Sequence, residues 1–532
     1  MSLAIERARR GRPPARNEIL RAGRLGGADP QDLVRRFGSP LFVYDLTVID
    51  RQVAALQSAL PPVADLAFAV KANPALAIVA HLGRLGLGAD VASAGELATA
   101  IRASIEPGRI VMTGPGKRDD ELQAAVAAGI RAVTVESPGE LVRLETIAAR
   151  VGRRVPIMLR AAVTEDARLE RVRLVGDDGA GKFGMDAASI LQCARRAADS
   201  PWLDLLGLHA FGASNVLDAG ALVEHVAATG RAARRLAQLV GTTVRLVDAG
   251  GGLGIPYESH EESLDLVGLG QGLTEITGSW AGDPLLSHAK LLLEPGRFLV
   301  GPAGAYLTTA VDRKTIDGST IVILDGGVHH LLRPALVGQE HRIRAVSGAA
   351  TLAGSRLGPV TVAGPLCSGL DVFSQHAVMG TPEVGDLLAI LDVGAYGFTE
   401  SMPLFLSHPS PAEVVVHQGE AALIRPRHGS TARSMLCSRG QVAPTGTGAC
   451  SPKPDSSPGE FRLVHDRGGG RSDDDPAHDP GSRSGLCPLR WRGVGRGRPA
   501  GYPLGQRGKV NAHSWLRRKP RRRSRHVPVA TG

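Results

Sequence analysis

The sequence has few cysteines and no long apolar runs, and each shortage excludes a class of protein. Five cysteines lie at irregular spacing among 532 residues, which argues against a disulfide framework or a zinc site and favours a reducing compartment. Because no run of about 18 apolar residues occurs, no membrane span is expected. The basic first 16 residues lack the apolar core of a secretory signal, so a cytoplasmic protein is expected.

The net charge of +10 comes from one end of the chain. From His428 onward there are 20 Lys and Arg against 7 Asp and Glu, out of 62 and 52 in the whole chain. The preceding part therefore holds 42 basic and 45 acidic residues and is slightly acidic. The high overall charge does not indicate a nucleic-acid partner for that part, and none is expected.

Residues 427–532 differ in composition from everything before them. They are rich in Gly, Pro, Arg and Ser, lack an apolar period and contain a basic run near their end, which predicts disorder. Two interpretations are open: a genuine basic arm that binds an acidic surface or nucleic acid, or translation after a reading-frame shift near residue 427. The second is favoured because the patterning stops abruptly after Ile424. The other reading frames of the gene would test it.

Residues 45–295 alternate short β-rich runs with helical runs. Such alternation predicts a parallel sheet, and eight units over about 250 residues suggest a (β/α)8 barrel. Valine-rich runs between Gly and Pro turns in residues 296–426 predict a second, mostly β domain (a barrel or sandwich), which residues 25–44 complete. The predicted barrel strands are 65–70, 88–91, 109–113, 132–135, 156–161, 205–210, 244–248 and 290–294.

One short stretch, Phe68-Ala-Val-Lys71-Ala-Asn73, ends an apolar strand on a lysine. A charged lysine at the carboxyl end of a buried strand is costly, and in a barrel that end carries the chemistry. The usual reasons are a phosphate partner or a covalent bond to a carbonyl cofactor. A lysine in a plain ion pair at the barrel mouth is the structural alternative, and Lys71 alone does not decide.

Four further motifs follow Lys71 in order along the chain. The glycines of Asp248-Ala-Gly250-Gly251-Gly252 let backbone N–H groups approach a phosphate, although the run is not the spaced dinucleotide fingerprint. Taken singly, the other three are an ordinary turn, a buried cysteine and a core aromatic. They are Glu294-Pro-Gly296-Arg297, Gly364-Pro-Leu-Cys367 and Gly394-Ala-Tyr396.

Together and in this order, the motifs resemble those of the fold-type III decarboxylases that depend on pyridoxal 5′-phosphate (PLP). This family includes ornithine, arginine and diaminopimelate decarboxylases, and the resemblance covers residues from about 25 to 426. It implies an alanine-racemase-like (β/α)8 barrel, a C-terminal β domain and a homodimer whose active sites are shared across the interface. The implied reaction is α-decarboxylation of an amino acid.

The resemblance also assigns roles to single residues. Lys71 matches the lysine that forms the aldimine with PLP, and Glu294 the carboxylate that keeps the pyridine nitrogen protonated. Cys367 is implied to reach the active site of the partner subunit and return a proton to Cα there, and Tyr396 to lie near cofactor and substrate. The other matched cofactor positions are the acidic Asp90 and Glu96, and the phosphate-binding Ser214, Gly250, Gly251, Gly252, Gly296 and Arg297.

Several positions depart from the family pattern. Phe211 stands where the family places a histidine against the PLP ring; a phenyl ring also stacks but offers no proton, and His209 is expected to compensate in part. Ser368 replaces the acidic residue that holds a distal ammonium. Arg333 resembles the carboxylate-binding arginine of diaminopimelate decarboxylases, but Val337 replaces their tyrosine. Because a lost charge-assisted contact costs about 1.5–3 kcal/mol, a dibasic substrate is not expected.

These departures resemble a subgroup in which some members decarboxylate an amino acid attached to an acyl-carrier protein. Three alternatives stay open: diaminopimelate decarboxylation, an alanine-racemase-like activity and a non-catalytic decarboxylase-like regulator. Glu294 argues against a racemase of that type, which keeps the ring nitrogen unprotonated with an arginine. The complete set of Lys71, Glu294, Arg297 and Cys367 argues against a regulator.

Overall fold

The computed structural model describes residues 19–162, 181–258, 260–347 and 357–429. The predicted disorder of residues 427–532 lies outside this range except for the first three of them. No helix of the described residues is long and apolar enough to cross a lipid bilayer.

The (β/α)8 barrel predicted from the alternating pattern is confirmed. Eight parallel strands close on themselves in chain order, with the last strand pairing with the first through Leu291 and Ala64. Every predicted strand is present, with ends that differ by at most two residues. The barrel strands are Ala64–Ala69, Gly88–Val91, Ile110–Met112, Ala132–Val135, Val155–Arg160, Leu203–His209, Leu246–Asp248 and Lys290–Leu293.

The barrel strands are buried on both faces, as parallel strands covered by helices must be. Six residues from six of the strands pack together in the barrel interior: Ala67, Val111, Ala132, Met158, Leu246 and Leu292. Ser or Asp side chains cap five of the helices that follow barrel strands, which fixes where those loops end; these helices begin at Ala94, Pro138, Ala187, Ala219 and Leu266. The α-helices of the described residues are Pro30–Phe37, Leu46–Ala59, Leu76–Arg84, Ala94–Arg102, Asp119–Ala128, Pro138–Val151, Ala187–Asp199, Ala219–Val240, Leu266–Trp280, Arg297–Val300 and Arg333–Val337.

The second domain is built on a nine-stranded mixed sheet. Its strand Leu41–Asp45 precedes the barrel in sequence and lies between two strands that follow it, antiparallel to Gly304–Ile316 and parallel to Ala412–His417. A separate two-stranded hairpin joins Leu20–Arg21 and Arg24–Leu25. The remaining strands of the mixed sheet are Ser319–Leu324, Ile343–Ala345, Leu357–Ala363, Val372–Gly380, Leu387–Leu391 and Glu420–Arg425.

Two hydrogen bonds join the turn that carries Lys71 to a loop of the second domain. The Asn73 side chain donates to the Gly394 carbonyl (2.9 Å), and the Tyr396 backbone N–H donates to the Ala72 carbonyl (2.8 Å). Asn73 is buried, so these bonds are shielded from water and hold the two segments in register. The junction thus places Tyr396 beside the carboxyl end of the first barrel strand.

Three buried histidines of the second domain predict a loss of stability in mild acid. Burial lowers the pKa of His329 to about 4, of His330 to about 2 and of His341 to about 4. In the unfolded chain each histidine has a pKa of about 6.5. Below that pH the unfolded state therefore binds more protons than the folded state. Stability is therefore lost as the pH falls from about 6.5 towards 4, by up to about 1.4 kcal/mol per pH unit for each histidine.

The melting temperature at pH 7, 6 and 5 measures this effect. His329→Phe keeps the aromatic packing against His330 and His408 but removes one titrating group, so its melting temperature should fall less than that of the wild type. His260→Asn, at a side chain that is 72% exposed, is the control and should follow the wild type. A His329→Phe profile parallel to the wild type would contradict the assignment.

Candidate active site

Lys71 lies at the mouth of the barrel, on the 3-10 turn Val70–Ala72 that directly follows the first strand. Its Nζ donates to Asp90 Oδ2 at 3.0 Å, and Asp90 belongs to the neighbouring strand. The Thr113 hydroxyl donates to the other Asp90 oxygen at 2.5 Å. The Lys71 side chain is 46% exposed while that of Asp90 is 1% exposed, so the amine is accessible and its partner is not.

The surrounding charges decide the protonation of this pair. Burial by itself lowers the pKa of Lys71, but the carboxylates of Asp90 and Glu294 raise it above its ordinary value. Burial and the charge of Glu294 raise the pKa of Asp90. Lys71 is therefore an ammonium in the free protein and must lose a proton before it can act as a nucleophile. Asp90 is hydrogen-bonded to Nζ and is a suitable acceptor.

A second cluster joins His209, Asp248 and Glu294, which lie at or just past the carboxyl ends of three adjacent strands. His209 Nε2 lies 3.6 Å from Glu294 Oε2, and His209 pairs with Asp248 in the strand register. One ligand atom of each residue lies within 4.8 Å of the other two. All three side chains are buried, so their charges interact strongly.

The surroundings shift the pKa values of the two carboxyl groups of this cluster in opposite directions. Burial and the charge of Glu294 raise the pKa of Asp248 well above its ordinary value. Burial also acts to raise the pKa of Glu294, but His209 and Lys71 outweigh it and lower that pKa to about 2. Of the two carboxyl groups, Asp248 therefore favours the protonated form and Glu294 the ionised form.

The glycine run that follows Asp248 has no room for side chains. A Cβ on Gly251 would lie 2.3 Å from the Glu294 carbonyl oxygen, and one on Gly252 would lie 2.5 Å from the Ala213 carbonyl oxygen. A Cβ on Gly250 would lie 2.8 Å from a ring carbon of Phe211. The loops after three strands thus meet backbone to backbone, with the Phe211 ring against the first glycine.

Arg297 connects these loops to the second domain. Its Nη1 donates to the Tyr257 hydroxyl at 2.8 Å and its Nη2 to Ser214 Oγ at 3.3 Å. Its guanidinium carbon lies 4.7 Å from the centre of the Tyr396 ring. The predicted phosphate ligands Ser214 and Arg297 are therefore brought together, and Tyr396 joins them. Gly296 lies against Ala72, where a Cβ would come within 2.8 Å of the alanine side chain.

Glu96 has a structural role in addition to the predicted one. Its carboxylate accepts a hydrogen bond from the Ala92 backbone N–H at 2.7 Å, while Ser93 Oγ accepts one from the Glu96 N–H at 3.2 Å. The two form a reciprocal cap at the start of helix Ala94–Arg102. Burial raises the pKa of Glu96. Its contact with the cofactor stays a prediction.

Cys367 and Ser368 lie in a loop that a buried carboxylate anchors. Asp371 accepts hydrogen bonds from the backbone N–H groups of Val328 and Leu366, both at 2.7 Å. The Cys367 thiol is free and exposed. Among the described residues no hydrogen bond links Cys367 or Ser368 to Lys71, Asp90 or Glu294, so their predicted part in the active site stays a prediction.

Sequence analysis missed three residues of the site. Asp248 was quoted only as the start of the glycine motif, although its place at a strand end could have drawn attention to it. Tyr257 and Glu400 lie in no motif. They contact Arg297 and Arg333 respectively, and these contacts form only when separate loops fold together.

Comparison with known proteins identifies the class. Residues 46–301 match the family described as pyridoxal-dependent decarboxylase, pyridoxal binding domain. The L-glutamyl-[BtrI acyl-carrier protein] decarboxylase of Niallia circulans is 30% identical over 410 residues, which are 75% of this chain and 94% of that protein. A diaminopimelate decarboxylase of Neisseria meningitidis is 33% identical over 404 residues, 74% of this chain and 94% of that protein.

A solved structure agrees with these two relatives. Diaminopimelate decarboxylase from Helicobacter pylori complexed with L-lysine has a TM-score of 0.70 at 30% identity, covering 77% of this chain and 100% of that one. The chain is a PLP-dependent enzyme of the carboxy-lyase class. It belongs to the fold-type III PLP-dependent decarboxylases, the ornithine, arginine and diaminopimelate decarboxylase family.

The residues of the site fit PLP on three observations. Glu294 Oε1 is buried and accepts no hydrogen bond from an N–H or hydroxyl group of the described residues, which suits a protonated ring nitrogen. Arg297 Nε is buried and donates to no hydrogen-bond acceptor of the described residues, which suits a phosphate oxygen as its acceptor. At Gly251 and Gly252 any side chain would collide with backbone, which leaves the backbone bare for a phosphate.

Gly252→Ala should weaken PLP binding by roughly tenfold or more, because a Cβ collides with a carbonyl oxygen and φ is +94°, a conformation that strains an L-residue by about 1–2 kcal/mol. Equilibrium dialysis of PLP against the cofactor-free protein measures the dissociation constant. Gly278→Ala is the matched control, since nothing lies within 4 Å of its Cβ position. Equal affinities for both variants would contradict this role for Gly252.

Proposed function

We propose that the chain removes the α-carboxyl group of an amino acid as CO2, with PLP held on Lys71. The observation that carries this proposal is an accessible lysine, paired with a buried carboxylate, at the same barrel mouth as an ionised Glu294. A charged carboxylate facing a ring nitrogen supports decarboxylation over racemisation. Bound PLP supplies an electron sink for the electron pair that CO2 leaves on Cα.

Each residue of the site has a proposed task. Asp90 accepts the Lys71 proton, which frees the amine. Glu294 holds a proton at the ring nitrogen, and Asp248 and His209 keep Glu294 ionised. Arg297 and Ser214, with the backbone of Gly250, Gly251 and Gly252, bind the phosphate, and Phe211 packs against the ring. Asp371 holds the loop from which Cys367 acts.

A homodimer completes this proposed site. The Cys367 thiol is free and exposed in the single chain, so it is available to enter the active site of a second subunit. We therefore propose that the partner subunit's Cys367 returns the proton to Cα. Sedimentation of the cofactor-loaded protein measures the assembly; an active monomer would refute the shared site.

Few and scattered cysteines support a cytoplasmic location.

Two substrates are supported by relatives of similar identity. One is free diaminopimelate and the other is an amino acid carried on an acyl-carrier protein. For a tethered glutamyl group to lose its α-carboxyl group, that group must be free. The carrier must then be attached through the side-chain carboxyl, which becomes an uncharged acyl group. The tethered substrate is the primary proposal, because Ser368 offers no charge to a distal ammonium.

The test is release of labelled CO2 by the PLP-loaded protein from 1-¹⁴C amino acids, both free and joined to an acyl-carrier protein through the side-chain carboxyl, with chiral analysis of the remaining substrate. CO2 and an amine in equal amounts support decarboxylation. Inversion of the substrate at Cα without release of CO2 would show that the reaction is racemisation and not decarboxylation. A folded dimer that takes up no PLP would favour the regulator, since such a protein keeps the fold without the chemistry.

A further inference from the structure

Beside Tyr396, a buried arginine of the second domain already has an acidic partner. Arg333 Nη1 donates to Glu400 Oε2 at 2.8 Å and its Nε donates to Gln339 Oε1 at 2.9 Å. The Arg333 guanidinium carbon lies 5.2 Å from the centre of the Tyr396 ring, and that of Arg297 lies 4.7 Å from the same ring. Arg333 is thus one aromatic ring away from the proposed phosphate site.

The backbone builds this pair into place. Glu400 ends the short 3-10 turn Phe398–Glu400. The Ser401 hydroxyl ties that turn to the residue before Arg333, accepting from the Leu332 N–H at 3.0 Å and donating to the Gly397 carbonyl at 2.8 Å. The pair is therefore held by its surroundings and is not a chance contact of long surface side chains.

A second backbone feature places the other partner. Gly338 ends the helix Arg333–Val337 with φ of +63°, the left-handed conformation that glycine adopts without strain. The chain reverses there, and Gln339 returns to the Arg333 Nε. Two of the three nitrogens of the Arg333 guanidinium are thereby engaged by residues of the same chain.

The exposure of the two side chains indicates which of them a ligand meets. The Arg333 side chain is 4% exposed and that of Glu400 is 32% exposed. The charge of Glu400 also reaches the cofactor region: burial lowers the pKa of Arg297, but Tyr257, Tyr396 and Glu400 outweigh it and raise that pKa. A ligand that extends beyond Tyr396 therefore meets a carboxylate whose charge an arginine already balances.

This balance disfavours both kinds of distal charge. A free guanidinium would bind a carboxylate through two parallel hydrogen bonds, but here Glu400 occupies that position and would repel a second anion. A distal ammonium would be attracted by the Glu400 carboxylate and repelled by the Arg333 guanidinium beside it, so the two interactions would largely cancel. An uncharged group that donates or accepts hydrogen bonds meets neither penalty.

We propose that the Arg333–Glu400 pair selects an α-amino acid whose distal end is an uncharged acyl group, an amide or a thioester, and rejects a free distal carboxylate. This inference rests on the proposed decarboxylation and narrows its substrate class. It makes Glu400 the residue that determines specificity. Diaminopimelate and free glutamate, which both carry a distal carboxylate, are then poor substrates.

Two small amines that differ by a single charge test the proposal. Neither 4-aminobutanamide nor 4-aminobutanoate has an α-carboxyl group, so binding is measured without turnover, by calorimetry on the PLP-loaded protein. The wild type should bind the amide roughly tenfold or more tighter, the loss expected for one misplaced charge contact. Glu400→Gln frees Arg333 and should reverse the preference. Glu400→Asp keeps the charge and should retain the amide preference.

The control is Glu383→Gln, which removes an acidic partner of an arginine on an exposed part of the same domain, Arg313. Its preference should equal that of the wild type. A wild type that prefers 4-aminobutanoate, or an unchanged preference in Glu400→Gln, would overturn the inference. Failure of decarboxylation itself would look different: no labelled CO2 from glutamine, from a side-chain thioester of glutamate or from diaminopimelate, whatever the amines do.

Discussion

Lys71→Ala should lower the rate of CO2 release by about a thousandfold or more and abolish covalent attachment of PLP. The Lys71 amine is the group that would carry the cofactor, and loss of an attacking group removes most of the rate that its neighbours support. Arg297, Ser214 and the glycine loop remain in this variant, so PLP should still bind, but exchangeably. Mass spectrometry after borohydride treatment should locate PLP on the Lys71 peptide of the wild type and on no peptide of the variant.

Two other lysines make this prediction specific. Lys290 begins a barrel strand at the opposite end of the barrel and is exposed, so Lys290→Ala should keep both activity and attachment. Lys117 follows another strand but is 4% exposed and donates to Glu140 and to two backbone carbonyls. These three hydrogen bonds would have to break before the Lys117 amine could attack a cofactor, so Lys117 is a poor nucleophile. If the Lys71→Ala variant still held PLP covalently, another lysine, such as Lys117 or Lys290, would be the one that carries the cofactor.

The same variant carries a cost in stability. Asp90 is 1% exposed on its side chain and in Lys71→Ala would keep the Thr113 hydroxyl but lose its cation. An unpaired buried carboxylate is strongly unfavourable, so loss of the Lys71 charge should raise the pKa of Asp90 further. Lys71→Met is a useful second variant because it fills more of the space left by the lysine. It should show the same loss of covalent PLP attachment.

The barrel could be predicted from the sequence because strand and helix periods alternate without interruption. Strand ends of a parallel barrel converge on one face, so Lys71, His209 and Glu294 could be placed together from their positions alone. In the structure Lys71 is hydrogen-bonded to Asp90, and the charge of Glu294 raises the pKa values of both, in agreement with that convergence. Their roles toward PLP stay predictions.

The contacts that tune the site could not be predicted in the same way. Glu400 meets Arg333 across 67 residues, and Tyr257 meets Arg297 across 40. No local pattern encodes either contact, because each depends on how loops pack after the strands are set. The opposite pKa shifts of Asp248 and Glu294 depend on burial and distance, which a sequence does not give. The sequence therefore predicts Arg333 as a free substrate-binding arginine, whereas in the structure Glu400 and Gln339 engage two of its three nitrogens. Its contact with substrate stays a prediction.

Glu294→Gln should retain PLP on Lys71 but lower kcat by about a hundredfold to a thousandfold, the usual loss when one preorganised charge is removed. Glu294 is buried, and its pKa is lowered to about 2, which favours the ionised carboxylate at neutral pH. A neutral amide at the same position cannot hold a proton at the ring nitrogen. Glu294→Asp keeps the charge but withdraws it by one methylene, and should recover part of kcat.

A readout in the cofactor-free protein separates this role from a merely structural one. Because the charge of Glu294 raises the pKa of Lys71, Glu294→Gln should lower that pKa, and Lys71 should react with an amine-directed reagent at a lower pH than in the wild type. Asp90 still raises the Lys71 pKa in the variant, so the shift should be partial. The surface variant Glu383→Gln should change neither kcat nor the reactivity of Lys71. A Glu294→Gln enzyme within threefold of the wild-type kcat would rule out the proposed charge at the ring nitrogen, whereas a fallen kcat with unchanged Lys71 reactivity would leave Glu294 at the ring nitrogen and remove it as a partner of Lys71.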